Sequence, residues 1–130
     1  MRLRYELDND DFAPASARRA IERDLGERID GSRLGTVRLI ISELVTNSVV
    51  RGVERKPIGL VLELADDGTV RGEVIDGMES VAAAKEAEPN FEPGASEVDG
   101  LAVVGALADR FGVEEDSTRV WFELDPPAAR

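Results

Sequence analysis

The hydrophobic residues of this chain change their spacing between Gly52 and Ile58, and that change constrains the fold more than any other feature. Before Gly52, apolar residues recur every three to four positions, which is typical of amphipathic helices. In Ile58–Leu64, apolar residues alternate with their neighbours, which is typical of strands. A chain of 130 residues is long enough for one domain with a sizeable core. We therefore expect helices and paired strands within a single domain, residues 1–130.

The first half predicts one strand and two helices. Leu3, Tyr5 and Leu7 alternate as in a strand, and Pro14 opens a short amphipathic helix that ends at Gly26. The segment Asp30-Gly31-Ser32 offers a cap for a long second helix, which Gly52 and Pro57 end. The predicted core stripe of this helix is Leu34, Val37, Ile41, Leu44, Val45 and Ser48. Glu43 and Asn47 flank this stripe, with Ile40 and Val50 on their own side, so we expect these two polar residues at the edge of the core.

The second half begins with a predicted hairpin. The segment Asp66-Asp67-Gly68 is a turn signal between the strand Ile58–Leu64 and a partner strand, Val70–Ile75. Residues 78–99 then show no periodicity and contain Pro89 and Pro93. A loop of this length inside a compact domain is usually functional or disordered.

One more helix and one more strand complete the prediction. Leu101, Val104, Leu107, Ala108 and Phe111 have helical spacing, and Gly112 closes that helix. Asp116-Ser117 then turns into a last strand, Val120–Leu124. Hairpin strands with about three helices on one face make a two-layer α+β sandwich with a mixed, mostly antiparallel sheet.

Composition excludes several classes of function. The net charge of −11 opposes sequence-independent binding to nucleic acid and contact with anionic membranes. The chain has no cysteine and no histidine, so it has no thiolate metal site and no imidazole base. No apolar run approaches the length of a membrane span, and the first residues lack the long apolar segment of a secretory signal. A cytoplasmic protein is expected.

The long second helix carries a carboxylate and a carboxamide that can meet one ligand. Glu43 and Asn47 are four residues apart, so they project from neighbouring turns of the same side. A carboxamide oxygen suits magnesium, and a carboxylate can orient or deprotonate a hydroxyl beside a phosphate. An ordinary surface helix can carry the same pair without any function.

Two further positions carry groups that can bind a ligand. Asp76 follows the strand that ends at Ile75, where a carboxylate can accept a hydrogen bond from an exocyclic amine such as that of adenine. Aspartate is also common in plain surface turns. Gly100 begins the predicted third helix, and the backbone amides at a helix N-terminus bind phosphate well.

The order of these motifs resembles a known family from Leu3 to Leu124. Five motifs follow one another along the chain. They are the segment Glu43-Leu44-Val45-Thr46-Asn47, the Asp76-Gly77 pair after a hairpin, a long loop, a helix that begins with Gly100-Leu101, and a closing strand, Val120–Leu124. This order is similar to that of the bacterial anti-sigma-factor serine kinases and their actinobacterial relatives. Their ATP-binding fold is shared with DNA gyrase, MutL and histidine kinases.

The resemblance implies a role for each position. Asn47 would coordinate magnesium, Glu43 would be the catalytic base, and Asp76 would bind the adenine amino group. Residues 78–99 would form the lid over ATP, and Gly100 and Leu101 would approach the phosphates. Thr118 corresponds, within one residue, to a hydroxyl that relatives hold near the adenine. Members of the family bind a sigma factor or phosphorylate a serine of an antagonist protein, usually as dimers.

The sequence also departs from that family. Relatives carry D-x-G-x-G, whereas this chain has Met78 and Ser80 at the two glycine positions, and Val98 replaces a glycine before Gly100. Glycine permits close approach of the backbone to a ligand, which bulkier residues hinder. The acidic residues of the loop are Glu79, Glu86, Glu88, Glu92, Glu97 and Asp99, against one base, Lys85. Two interpretations therefore remain: an ATP-binding regulator, with or without serine kinase activity, or a nucleotide-independent module that binds a sigma factor or another regulator.

Overall fold

The computed structural model describes residues 1–51, 56–76, 96–114 and 119–127. Along the chain, its elements are β1 (Arg2–Leu7), α1 (Ala13–Leu25), α2 (Gly31–Arg51), β2 (Ile58–Leu64), β3 (Val70–Ile75), α3 (Ser96–Leu107), β4 (Arg110–Glu114) and β5 (Arg119–Leu124). The predicted α+β class is confirmed. The described residues contain one strand more than the sequence predicts, which is β4.

The strands form one sheet in the order β1-β2-β3-β5-β4. All four strand pairings between described residues are antiparallel, so this sheet has no parallel component. The predicted hairpin between β2 and β3 is confirmed, with Leu64 opposite Val70. Its turn contains Gly68 at a φ of 96°, in the left-handed region that glycine adopts without steric cost.

The three helices cover one face of the sheet. Leu62, Gly72 and Phe122 lie opposite one another on β2, β3 and β5, and their inner side meets α2. A Cβ on Gly72 would lie 2.5 Å from the Phe122 ring and 3.4 Å from Cδ1 of Ile41, so the glycine lets helix and ring pack closely. Phe122 and Ile41 are fully buried within the same hydrophobic core. The result is the two-layer arrangement that the sequence predicts.

Helix α2 is buried over a wider arc than the sequence predicts. Val37, Ile41, Leu44, Val45 and Ser48 are buried, and Leu34 packs partly against the core. Ile40, which lies on the same side of the helix as Glu43 and Asn47 and outside the predicted stripe, is fully buried as well. Helix α2 packs against α1 and α3 as well as against the sheet. Its buried residues therefore cover more of the helix circumference than one apolar stripe does.

The predicted boundaries of the third helix are wrong at both ends. The helix begins at Ser96, inside the segment expected to be a loop, and ends at Leu107. Phe111 and Gly112 belong to strand β4, where they lie opposite Phe122 and Trp121. Phe111 continues the helical spacing of Leu107 and Ala108, but its backbone is paired to β5, and that pairing decides its conformation.

Several predictions lie outside the described residues. These are the end of the second helix at Gly52, most of the predicted loop (78–95) and the turn at Asp116-Ser117. Among the described residues, no helix is both long enough and apolar enough to cross a membrane.

Candidate functional site

Helix α2 and strand β3 start side by side and run in the same direction. The carboxylate of Asp30 caps α2 by accepting a hydrogen bond of 3.0 Å from the Arg33 amide. The guanidinium of Arg33 in turn donates 2.6 Å to the carbonyl of Gly68, in the turn that leads into β3. Both elements therefore begin at the Gly68 end of the sheet, and both finish at the opposite end.

The contact between Ile41 and Gly72 allows positions along α2 to be matched to positions along β3. Ile41 is eight residues after Arg33, or about 12 Å along a helix at 1.5 Å per residue. Gly72 is four residues after Gly68, or about 13 Å along a strand. The distance from Arg33 to Ile41 along α2 is therefore similar to the distance from Gly68 to Gly72 along β3, and Ile41 packs above Gly72. Asn47 and Asp76 follow this contact by about 9 Å and about 13 Å, so both lie at the far end.

Glu43 and Asn47 lie at the border between core and solvent. Both are half-buried, whereas Leu44 and Ser48, each one residue further along, are buried. One helical turn separates the two side chains, so they present a carboxylate and a carboxamide on one side of α2. Within the described part of the chain, neither group has a hydrogen-bond or ion-pair partner. Both groups are therefore available to a ligand at this end of the sheet.

A contact between helices supports Glu43, and the sequence motifs do not reveal it. Nη1 of Arg18, on α1, donates a hydrogen bond of 2.9 Å to Oγ of Ser42, the residue before Glu43. A second pair, between Arg38 and Glu22 at 3.1 Å, joins the same two helices one turn earlier. These contacts hold α1 against the turn that carries Glu43. No periodicity or motif marks Arg18 or Ser42, because their pairing depends on how the two helices pack.

Helix α3 places Gly100 differently from the prediction. Because the helix begins at Ser96, Gly100 is its fifth residue and Leu101 its sixth. The amides that lack an intrahelical partner belong to the first turn of a helix, which precedes Gly100. The helix is held in place at Val104, which is fully buried in the core, and α3 packs against α2. A role for Gly100 and Leu101 at the phosphates stays a prediction.

Other predicted positions cannot be located in the same way. Thr118, Met78 and Ser80 lie outside the described residues. Asp76 is described and is half-buried directly after β3. The described structure therefore brings Asn47 and Asp76 towards one end of the sheet, with Glu43 one helical turn before Asn47.

Two carboxylates with lowered pKa values lie at the other end of the sheet. Hydrogen bonds from the Arg33 side chain and amide lower the pKa of Asp30 below its usual range. The Thr69 amide and hydroxyl do the same to the pKa of Asp67. Both groups belong to the start of α2 and the β2–β3 turn, so we regard them as structural.

The donors present fit magnesium held mainly by a nucleotide. Among the described residues, no group of three or more acidic side chains is placed to hold a metal ion by itself. Magnesium commonly uses one or two protein oxygens, substrate phosphates and water. The carboxamide oxygen of Asn47 would be such a single protein ligand, and the ion would neutralise phosphate charge.

Comparison with known proteins identifies the fold through two solved structures. No family model and no curated protein matches the sequence. A solved structure of the RsbU and RsbW domains of Rv1364c from Mycobacterium tuberculosis matches with a TM-score of 0.70 and 24% identity. The match covers 100% of this chain and 33% of that chain. The SiaB–SiaC complex from Pseudomonas aeruginosa matches with a TM-score of 0.54 and 15% identity, covering 95% of this chain and 88% of the other.

The chain has the fold of the RsbW domain. This agrees with the fold implied by the resemblance to anti-sigma-factor kinases. The chain spans about a third of the solved chain that contains the RsbU and RsbW domains, and identities of 24% and 15% establish a fold without an activity. Any function within the RsbW-like fold has to be argued from the site at Glu43, Asn47 and Asp76.

Proposed function

We propose that this chain is an ATP-binding regulatory protein of the anti-sigma-factor kinase type. The observation that carries the proposal is the placement of Glu43 and Asn47 on one side of α2, with Asn47 towards the end of the sheet at which β3 leads into Asp76. Both groups are half-buried, and neither has a hydrogen-bond or ion-pair partner among the described residues. The match to the RsbW domain supports the same class of protein. The partner would be a sigma factor or an anti-sigma-factor antagonist, and SiaB is itself known in a complex with SiaC.

Each side chain has a defined part in this proposal. The Asp76 carboxylate accepts a hydrogen bond from the adenine amino group, which selects adenine because guanine presents a carbonyl oxygen there and two acceptors cannot hydrogen-bond to each other. The Asn47 carboxamide oxygen ligates magnesium, which supplies charge neutralisation at the phosphates when bound. Gly100, Leu101 and Thr118 complete the predicted contacts to phosphate and adenine.

The kinase step requires Glu43 to act as a base. The carboxylate takes the proton of a serine hydroxyl on the antagonist while that oxygen bonds to the γ-phosphorus of ATP. The bond from the γ-phosphorus to the bridging oxygen breaks, and ADP leaves with the electron pair. Positioning and charge stabilisation supply most of the catalysis in such transfers.

A second function is favoured by the charge at the start of α3. Glu97 and Asp99 are the second and fourth residues of the helix, so the sequence of its first turn is acidic where the first function needs affinity for phosphate. Together with Met78 and Ser80 at the glycine positions, this supports a nucleotide-independent module that binds a sigma factor or another regulator.

Calorimetric titration with ATP and magnesium tests the first function. Wild-type protein is expected to bind, whereas Asn47→Ala should lose the magnesium dependence and Asp76→Asn the preference for ATP over GTP. Thr46→Ala is the matched control, because Thr46 adjoins Asn47 but is exposed. Absence of binding by wild-type protein at millimolar ATP rejects the nucleotide proposal.

Phosphorylation distinguishes the two functions further. Transfer of labelled phosphate to a serine of a co-purified antagonist, lost in Glu43→Gln with ATP binding retained, is the expected result for a kinase. If a sigma factor or antagonist is captured equally by wild-type protein and Asn47→Ala without ATP, the interaction module is the better description.

A further inference from the structure

Strand β4 forms an edge of the sheet and presents apolar side chains to solvent. It pairs with β5 on one side, and no strand in the described part of the chain pairs with its other side. Phe111 lies opposite the buried Phe122, so Phe111 and Val113 point towards the helical layer, yet they are 43% and 40% exposed. The edge therefore offers backbone N–H and C=O groups together with apolar side chains, which is what an added strand requires.

Helix α3 forms an apolar wall beside this edge. Every residue in 102–107 is apolar, and most of these residues are exposed. A Cβ on Gly105 would lie 3.5 Å from the Phe111 ring, so this side of the helix faces β4. Ala102 is three residues before Gly105 and lies on the same side. We refer to the apolar surface formed by Ala102, Gly105, Phe111 and Val113 as the α3–β4 groove.

The opposite face of β4 carries one charge of each sign. Arg110 is two residues before Gly112 and Glu114 two residues after it, and side chains two residues apart share a face of a strand. Arg110 lies opposite Glu123 of β5. Glu114 lies opposite Arg119 of the same strand. The sign of the charge therefore alternates from β5 to β4 at both positions.

This alternation extends over the whole sheet. The row in register across the five strands is Arg2, Glu63, Arg71, Glu123 and Arg110. Adjacent members of the row are joined at 3.9, 3.9, 3.1 and 2.8 Å. The member that continues the row beyond Arg110 is a carboxylate, and by the same rule a cation belongs beyond Glu114.

Arg110 and Glu114 both keep bonding capacity for such neighbours. Arg110 donates through Nε to Glu123 and through Nη2 to Asp125. Glu114 accepts a hydrogen bond from Nε1 of Trp121 through Oε2. In the contacts between described residues, Nη1 of Arg110 and Oε1 of Glu114 are not used. A cross-strand pair therefore adds to the existing contacts without replacing them.

We propose that β4 binds an extended segment of a basic partner protein, which adds to the sheet as a further antiparallel strand. Apolar side chains at alternate positions of that segment fill the α3–β4 groove beside Phe111 and Val113. On the outer face, the segment places a carboxylate opposite Arg110 and a cation opposite Glu114. Main-chain hydrogen bonds supply the affinity, and the alternate side chains supply the specificity.

The net charge of this chain favours a basic partner over a second copy. With −11 on each chain, two copies repel each other, whereas a basic protein is attracted to the edge. Asp109, directly before Arg110, is exposed and places a further carboxylate at this edge. A partner segment with lysines at both ends of the paired stretch meets Glu114 and Asp109 together.

The other edge of the sheet is less suited to a partner. On β1, Leu3 and Tyr5 pack against the core and Leu7 is buried. A partner at β1 would cover little additional apolar surface, whereas a partner at β4 covers Phe111 and Val113. The proposed contact needs no nucleotide, so it does not rest on the ATP-binding function proposed above.

A designed basic peptide, added without ATP, tests the proposal. Acetyl-Lys-Lys-Phe-Thr-Val-Glu-Lys-amide, paired antiparallel, places Phe opposite Val113, Val opposite Phe111 and Glu opposite Arg110. Titration with labelled peptide should give a saturable change in fluorescence anisotropy. The fluorescence of Trp121, the one tryptophan of the chain, should change as well, because its Nε1 donates to Glu114 at 3.1 Å. Absence of both changes at millimolar concentrations overturns the proposal.

An exchange of charges tests the register. Acetyl-Lys-Glu-Phe-Thr-Val-Lys-Lys-amide has the same composition but places Glu opposite Glu114 and Lys opposite Arg110. Wild-type protein should bind it about tenfold more weakly, because like charges then face each other at both positions. The double variant Arg110→Glu with Glu114→Arg should reverse this preference. Equal affinity of both peptides for both proteins indicates attraction by net charge alone and rejects the strand pairing.

A change in the groove keeps the test decisive if the double variant fails to fold. Val113→Asp should weaken binding of the first peptide by at least about tenfold, because a carboxylate then replaces an apolar contact. Attraction by net charge alone predicts the opposite, since the variant is more acidic. Val50→Asp is the matched control on α2, where Val50 is 68% exposed, and should bind as the wild type does.

Two further outcomes reject the proposal. One is binding by Val113→Asp that equals or exceeds that of the wild type. The other is a peptide that does not bind, together with wild-type self-association in sedimentation equilibrium that Val113→Asp abolishes. In that case a second copy of the chain occupies the edge.

Discussion

The guanidinium of Arg33 donates a hydrogen bond of 2.6 Å to the backbone carbonyl of Gly68, and this contact sets the direction of α2 over the sheet. The same guanidinium donates to a carboxylate oxygen of Asp30 at 2.7 Å and to the carbonyl of Asp125 at 3.2 Å. One side chain thus joins the start of the helix, the β2–β3 turn and the end of β5. Glu43 and Asn47 lie further along this helix, so their position depends on the anchor.

Replacement of Arg33 is expected to destabilise the fold. Arg33→Ala removes hydrogen bonds from two backbone carbonyls, and we expect a loss of about 1–3 kcal/mol in the free energy of unfolding. Arg33→Lys keeps the charge but cannot reach three partners with one ammonium group, so it should recover only part of that loss. Urea unfolding of the three proteins measures the difference. Equal stability of Arg33→Ala and wild-type protein would contradict the anchoring role.

The close contact at Gly72 predicts an overpacked variant. An alanine Cβ at this position would lie 2.5 Å from two carbon atoms of the buried Phe122 ring. We expect Gly72→Ala to lower the free energy of unfolding by about 1–3 kcal/mol, because the ring has no free space into which to move. Gly35→Ala is the matched control: its Cβ would meet nothing within 4 Å in α2, and it should stabilise the helix by up to about 1 kcal/mol.

Tyr5 predicts an effect of alkaline pH. Burial, followed by its hydrogen bond to Asp24, raises the pKa of Tyr5 from 10.0 to about 12. Because this pKa is raised in the folded state, the stabilisation is complete below pH 10 and is lost as the pH rises through about 12. The chain contains one tyrosine, so phenolate absorbance reports Tyr5 alone.

The control for this titration separates the two causes of the shift. Asp24→Asn removes the carboxylate but leaves Tyr5 equally buried, so the pKa of Tyr5 should fall only part of the way towards 10. A midpoint near 10 in folded wild-type protein would show that the phenol is not held by these contacts.

The glycine positions of the predicted nucleotide site can be restored. Met78→Gly with Ser80→Gly recreates the D-x-G-x-G pattern after β3 and should raise the affinity for ATP in calorimetric titration, because glycine allows closer approach to the ligand. Ala83→Gly adds a glycine to the same segment outside the motif and should leave the affinity unchanged. If both proteins bind ATP as the wild type does, crowding by Met78 and Ser80 does not limit binding.

Strand β4 is an element that local sequence patterns do not predict. Leu107, Ala108 and Phe111 have helical spacing, which predicts that Phe111 belongs to the third helix. In the folded chain, the helix stops at Leu107, and Phe111 pairs with Phe122 on β5. Hydrophobic spacing indicates which residues favour burial. Whether Phe111 is helical or extended depends instead on its pairing with a strand further along the chain.

The sequence alone determined the α+β class, the β2–β3 hairpin, the buried side of α2 and the candidate pair Glu43 and Asn47, because periodicity and turn residues act locally. Only the tertiary structure decided that α2 and β3 start together at Arg33 and Gly68, and that both finish at the end of the sheet that contains Asp76. Contacts between residues distant in sequence fix these relationships. Such contacts depend on side-chain geometry and packing, which no local pattern records.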